Sequence, residues 1–222
     1  MKRFLSVLSL AALAGVSQAH VGDIGLKVIN GQIVTGKVEE IGGVDTVLPG
    51  ERVFGGDFSE FIPGYSDEPG FFAVDGEFAA GTGIGFTLYK ALRVWNGSDF
   101  STVAGPTINI EFGPNSVTTP LTDGPIEGFT FAVPASGGFD EHWDFILSDV
   151  NATGIYLLEF EIWSTDTTVA RSERTWIVLN YGQSEVDHDA AIEYAEENLV
   201  PAPGAVALLG VAGLMASRRR RA

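Results

Sequence analysis

Hydrophobic and polar positions alternate with a period of two along most of the chain. Ile24, Leu26 and Val28 alternate toward Asn30-Gly31, and a second run follows over residues 33–38. Asn-Gly between two such runs predicts a two-residue hairpin, because both turn positions need a positive φ. Further strands are predicted over residues 70–74, 83–95, 107–112, 128–133, 155–163 and 174–181, bounded by Gly, Pro or polar turn residues. Residues 39–65 are Gly-rich, with Phe54, Phe58 and Phe61 between the glycines, and read as a long loop with one short strand near residues 52–54. The clearest strand covers residues 139–147. It places Phe139, Trp143, Phe145 and Leu147 on one face and Asp140, His142 and Asp144 on the other.

One segment of the body departs from this period. Residues 184–199 carry an apolar stripe of Ala191, Ile192, Ala195 and Leu199, with Asp189, Glu193, Glu196 and Glu197 turned to water. Ser184 with Asp187 three residues on is a capping-box arrangement, and the acidic first turn complements the helix dipole. His188 falls on the apolar stripe by spacing, as a half-buried core histidine. Short strands, frequent turns and 28 glycines favour packed sheets over βαβ units. The expected fold class is all-β: an antiparallel β-sandwich with one C-terminal helix, plus an N-terminal signal helix and a C-terminal hydrophobic sorting helix.

The two ends follow a different logic. Met1-Lys2-Arg3 is a basic start, residues 4–16 are apolar, and Ser17-Gln18-Ala19 puts small residues where a signal peptidase reads them. Cleavage is expected between Ala19 and His20. At the other end Val200-Pro201-Ala202-Pro203-Gly204 leads into an uncharged stretch to residue 217, then Arg218, Arg219, Arg220 and Arg221. As a helix the fourteen residues 204–217 span roughly 21 Å, short of a bilayer core of ~30 Å, so tethering is temporary. The four arginines hold the end in the cytoplasm and leave the body outside. The chain divides into a signal peptide (1–19), a β domain (20–183), an amphipathic helix (184–199) and a sorting tail (200–222).

Proline pair, apolar segment and basic cluster together resemble the PEP-CTERM sorting signal of Gram-negative-type bacteria. The middle residue is Ala202 where the namesake has glutamate. The resemblance implies recognition and cleavage by an exosortase-like membrane enzyme, transient residence in the inner membrane, and delivery to the cell surface or extracellular matrix. Extracellular polysaccharide is then a further expected partner.

Charge supports export. The whole chain carries −16, but six of its thirteen basic residues lie in the two ends, which leaves seven against 29 acidic residues, a net of −22 on the body. Such a surface repels nucleic acid and anionic lipid and attracts cations. With no cysteine the fold has neither disulfides nor thiolate chemistry.

Few residues carry chemistry by pattern. Asp140, His142 and Asp144 put two carboxylates and an imidazole within ~7 Å on one strand face, either a solvated polar face or half of a divalent-cation site. His20, as a mature amino terminus, offers an amine and an imidazole to copper. Asp67-Glu68 and Asp75-x-Glu77 are acid pairs of the kind glycosidases use, and Trp95 and Tyr65 are aromatics that could stack on sugars. Gly81-Thr82-Gly83-Ile84-Gly85 precedes a strand and so is no phosphate cradle. Residues 19–26 (Ala-His-Val-Gly-Asp-Ile-Gly-Leu), with Glu141-His142-Trp143-Asp144-Phe145 and Thr153-Gly154-Ile155-Tyr156, resemble bacterial surface-anchored repeat domains. Those are β-sandwiches that open on a His-Val-Asp-like strand and carry a His-x-x-Trp-x-Phe strand, some encoded beside metal-type transporters. This chain departs by Gly22 before Asp23 and by Trp143 directly after His142. The sequence therefore predicts an exported surface protein with a non-enzymatic structural or interaction role. Two alternatives stand beside it: a surface protein holding zinc or copper through His20, His142, Asp140 and Asp144, and an extracellular carbohydrate-active enzyme.

Overall fold

The computed structural model describes residues 22–59 and 62–201. Its strands in chain order are β1 (Ile24–Ile29), β2 (Gln32–Glu40), β3 (Asp45–Pro49), β4 (Val53–Asp57), β5 (Tyr65–Ser66), β6 (Phe71–Ala73), β7 (Gly83–Leu88) and β8 (Arg93–Val94). They continue with β9 (Thr102–Val103), β10 (Ile108–Phe112), β11 (Asn115–Thr118), β12 (Ile126–Ala132), β13 (Phe139–Glu141), β14 (Asp144–Leu147), β15 (Gly154–Ser164) and β16 (Thr175–Tyr181), followed by α1 (Glu185–Asn198). The protein is mostly β, rich in antiparallel pairs, with one C-terminal helix. The expected signal helix and sorting helix lie outside the described residues. Among the described residues no helix is long and apolar enough to cross a membrane.

The strands form three sheets. Sheet A runs β13-β6-β1-β2-β3, sheet B runs β12-β7-β15-β16-β4 with β8 and β9 attached at β15, and sheet C runs β11-β10-β14-β5. Two pairings are parallel, β1 with β6 and β16 with β4. One apolar core serves all three sheets: Ile24, Leu26 and Phe71 meet Phe86, Phe160 and Ile177 from sheet B and Ile110, Phe145 and Leu147 from sheet C. Sheet B is covered on its other face as well. There Val53, Ile155, Trp176 and Val178 pack against Ala191 and Ala195 of α1. Burial on both faces explains why every residue of β16 is buried, where a half-solvated strand would alternate.

The hairpin at Asn30-Gly31 forms as predicted, with φ of 52° and 77° at the two turn residues. Ser184 caps α1, accepting the Asp187 N–H at 3.2 Å. His188 goes deeper than half-buried: it is 5% exposed, and its Nε2–H donates to the Val178 carbonyl at 3.0 Å.

Three expectations are corrected. Residues 39–65 are no long loop, since β2 runs on to Glu40 and β3, β4 and β5 follow. The predicted strand over residues 83–95 is broken between β7 and β8, where Tyr89 and Ala91 bond to a crossing loop: Gly124 N–H donates to the Tyr89 carbonyl at 3.0 Å and Ala91 N–H to Asp123 at 3.1 Å. The predicted strand over residues 139–147 is two strands in different sheets. β13 pairs with β6 in sheet A, and β14 pairs with β10 and β5 in sheet C. His142 and Trp143 form the corner between them. Trp143 turns inward, 2% exposed, with its ring 4.0 Å from Phe71 and 4.6 Å from Phe86.

Candidate metal centre

That corner brings three strand ends together. Ile24 pairs with Phe71 across the parallel β1–β6 ladder, and Phe71 pairs with Glu141 across β6–β13. One position past the ladder, Asp23, Gly70 and His142 stand side by side. Because side chains alternate along a strand, these three share a face with Gly25, Phe72 and Asp140 two positions further in. Trp143 faces the opposite way into the core, which fixes the side to which His142 points.

Backbone groups then orient these side chains. The Gly70 N–H donates to Asp23 Oδ1 at 3.0 Å and to Glu68 Oε2 at 3.2 Å. His142 Nδ1–H donates to the Asp67 carbonyl at 3.0 Å, which in the neutral ring leaves the lone pair on Nε2. A metal-binding histidine is oriented by this kind of bond to its other nitrogen. Nε2 lies 3.4 Å from Asp140 Oδ1 and Nδ1 lies 3.6 Å from Glu68 Oε1. Two electron-rich atoms at 3.4 Å call for a cation between them, a proton on Nε2 or a metal ion.

Among the described residues, Asp23, Glu68 and His142 are grouped so that one ligand atom from each lies within 4.8 Å of the others. A zinc ion with bonds of ~2.1 Å would set its ligands about 3.4 Å apart, so this group would have to draw in from separations of up to 4.8 Å to hold one. Asp23 is almost wholly buried, whereas the side chains of Glu68 and His142 are 44% and 30% exposed, so the centre opens to solvent on one side.

The electrostatics favour a cation. Burial pushes the Glu68 carboxyl up, and the charges of Asp23 and Asp67 add to this against the opposing His142 and Gly70 N–H. Burial alone would disfavour protonated His142, but the Asp67 carbonyl and the carboxylates of Glu68, Asp23 and Asp140 outweigh it and hold the imidazole above its ordinary pKa. Glu141 next door is raised too, by burial and then by Asp140. Each shift reports negative charge crowded in partial burial, which a divalent ion relieves.

The residues predicted from sequence divide accordingly. His142 and Asp140 are at the centre. Asp144 is in sheet C, where its Oδ1 accepts the Tyr65 hydroxyl at 2.7 Å and thereby pushes that phenol up to about 12. Tyr65 is engaged there, and Trp95 packs its ring 5.1 Å from Phe100 and 5.3 Å from Tyr194. Glu77 of the second acid pair accepts the Val28 N–H at 2.6 Å. His20, Ala19, Ala202, Pro203, Gly204 and Arg218 to Arg221 lie outside the described residues, while Val200 packs against the helix–sheet core. Asp23 and Glu68 are the members of this cluster that the sequence did not join to His142. No family model, curated protein or solved structure matches the chain.

Proposed function

We propose that the protein is an exported, non-enzymatic surface protein whose β domain holds one divalent transition metal, zinc or copper, through Asp23, Glu68 and His142. The observation that carries this reading is the convergence of these three ligand atoms within 4.8 Å around Gly70. One imidazole with two carboxylates suits zinc, and partial exposure leaves coordination open for a further ligand. The fold we read as a two-layer sandwich, sheet B forming one layer and sheets A and C the other, which puts the centre at a sheet junction. The tail supports delivery: an exosortase-like enzyme would receive the chain after signal peptidase has acted, with the body outside the inner membrane. The strongly acidic body supports a setting where cations are captured and nucleic acid is not.

Metal content settles the matter. Exported protein purified without chelators and analysed by mass spectrometry should carry about one zinc or copper per chain. Thermal melts should rise with added metal, by an amount equivalent to ~2.7 kcal/mol at one hundred times Kd, and His142→Ala should abolish the rise. Metal-free protein whose melts ignore both ions would remove this reading and leave the purely structural one.

A further inference from the structure

We propose that a cavity between α1 and the outer face of sheet B binds a small zwitterion with an apolar body, a free α-amino acid such as phenylalanine or leucine. The cavity shares no residue with the metal centre and does not depend on the metal reading.

Leu157 of β15 pairs with Arg93 of β8, so both stand on one face of sheet B, the face that α1 covers. The cover is incomplete. Beside the last turn of α1 a cavity of about 320 Å³ remains, within the ~300–1,000 Å³ of small-molecule sites. Part of its wall is apolar, made by Phe100, Leu157, Tyr194 and Leu199. Tyr194 packs against Trp95 and Phe100 at ring separations of 5.3 and 6.2 Å, which gives that wall a fixed shape.

The rest of the wall carries charge of both signs. Arg93 lines it but is engaged, donating to Asp123 at 2.6 and 2.7 Å and to the Ser101 carbonyl at 3.3 Å. Lys90, also in the wall, gives Asp123 a single bond at 3.2 Å among the described residues, so two of its three donors remain for a ligand. Glu159 supplies the opposite charge. Its carboxylate is held by long contacts, the Trp176 Nε1–H at 3.4 Å and Arg174 Nε at 3.8 Å, and keeps acceptor positions to offer. Tyr194 and Leu199 bring the C-terminal end of α1 to the same cavity, and no basic residue in the last turn offsets that negative pole. A plain carboxylate would meet Glu159 and the helix end, and a plain amine would meet Lys90 and Arg93. A zwitterion satisfies both: its carboxylate on Lys90 Nζ, its ammonium on Glu159, and its side chain against Phe100 and Tyr194.

Calorimetric titration of the exported protein with L-phenylalanine and L-leucine tests this. Three further probes run beside them: phenylpropionate, which lacks the ammonium, phenethylamine, which lacks the carboxylate, and glucose, which lacks both. The expected result is saturable binding of at least one amino acid and at least ten-fold weaker binding of phenylpropionate and phenethylamine. Lys90→Met and Glu159→Gln should each weaken amino-acid binding at least ten-fold and leave the melting temperature within a few degrees of wild type. No saturable heat with either amino acid would overturn the proposal, as would equal affinity for phenylpropionate or phenethylamine, or binding of glucose alone. Unchanged affinity in folded Lys90→Met and Glu159→Gln would overturn it as well.

Discussion

A β-carbon on Gly70 would lie 2.6 Å from Cε1 of His142 and 2.8 Å from Oδ1 of Asp23, so the two side chains meet across a residue that has none. Gly70→Ala therefore tests the centre without touching a ligand. The clashing atoms are ends of side chains that can rotate away, so the stability loss should be modest, about 1 kcal/mol. The ligand geometry, by contrast, should be lost. Thermal melts with and without zinc should show a small drop in the metal-free midpoint and no metal-dependent rise. A full metal response in Gly70→Ala would show that the ligands do not need this approach.

The in-and-out pattern of residues 139–147 was legible because alternation depends only on the local pleat. Phe139, Trp143, Phe145 and Leu147 are all buried as expected. What alternation could not show is the change of partner at His142–Trp143, since a strand keeps its period when it leaves one sheet for another. The glycines of residues 39–65 misled for a related reason. Gly55 and Gly56 look like loop residues but lie in β4, where a β-carbon would stand 3.0 Å from Ile192 of α1 and 2.8 Å from the Glu68 carbonyl respectively. Close approach between elements, not turning, requires them. Glu68 stood out only as half of the Asp67-Glu68 acid pair and Asp23 only within the opening strand motif, and neither signal joined them to His142. They meet His142 only through the parallel β1–β6 pairing, which no run of neighbouring residues encodes.

Adjacent residues at the corner should behave oppositely on truncation. Trp143 fills the junction between Phe71, Phe86 and Phe129, with ring separations of 4.0, 4.6 and 5.3 Å. Trp143→Ala should cost about 3–5 kcal/mol, a large part of the stability of a single domain. His142→Ala in the presence of chelator loses one bond to the Asp67 carbonyl and should cost about 1 kcal/mol. Urea unfolding of both variants in metal-free buffer measures the contrast. Equal losses would mean that His142 is part of the packing.

Acid should weaken the loop that interrupts residues 83–95. Asp123 accepts Arg93 Nη2 at 2.6 and 2.7 Å, Lys90 Nζ at 3.2 Å and the Ala91 N–H at 3.1 Å. Burial works to raise its pKa, but Lys90, the Ala91 N–H and Arg93 outweigh this and hold it below the ordinary aspartate value. A carboxyl depressed in the folded state contributes stability above its unfolded pKa, near ~3.9, and loses it as pH falls through the folded value. Solvent screens the group, so Asp123→Asn should cost only about 0.5–1 kcal/mol at pH 7. Urea melts at several pH values should show the gap between wild type and variant closing below about pH 4. A gap that persists at acid pH would assign the effect to loop packing.

The arginine cluster makes the proposed sorting role of the tail testable apart from the body. If residues 204–217 form a helix they would reach roughly 21 Å, too little for a stable span across ~30 Å of hydrocarbon, so in the proposed role orientation would rest on what anchors the ends. In the proposed sorting role Arg218, Arg219, Arg220 and Arg221 would supply that anchor, because moving four cations through a membrane is far costlier than leaving them in the cytoplasm. Replacing all four with Ser removes the barrier and leaves the apolar segment and the Pro201–Pro203 region unchanged. The tail end should then slip out with the body, and the processing enzyme would meet no held substrate. Cell fractionation should show unprocessed chain lost from the surface fraction, while the isolated body keeps its melting temperature and its metal response. Unchanged surface delivery and tail cleavage in the four-serine variant would mean that the arginines do not sort this protein.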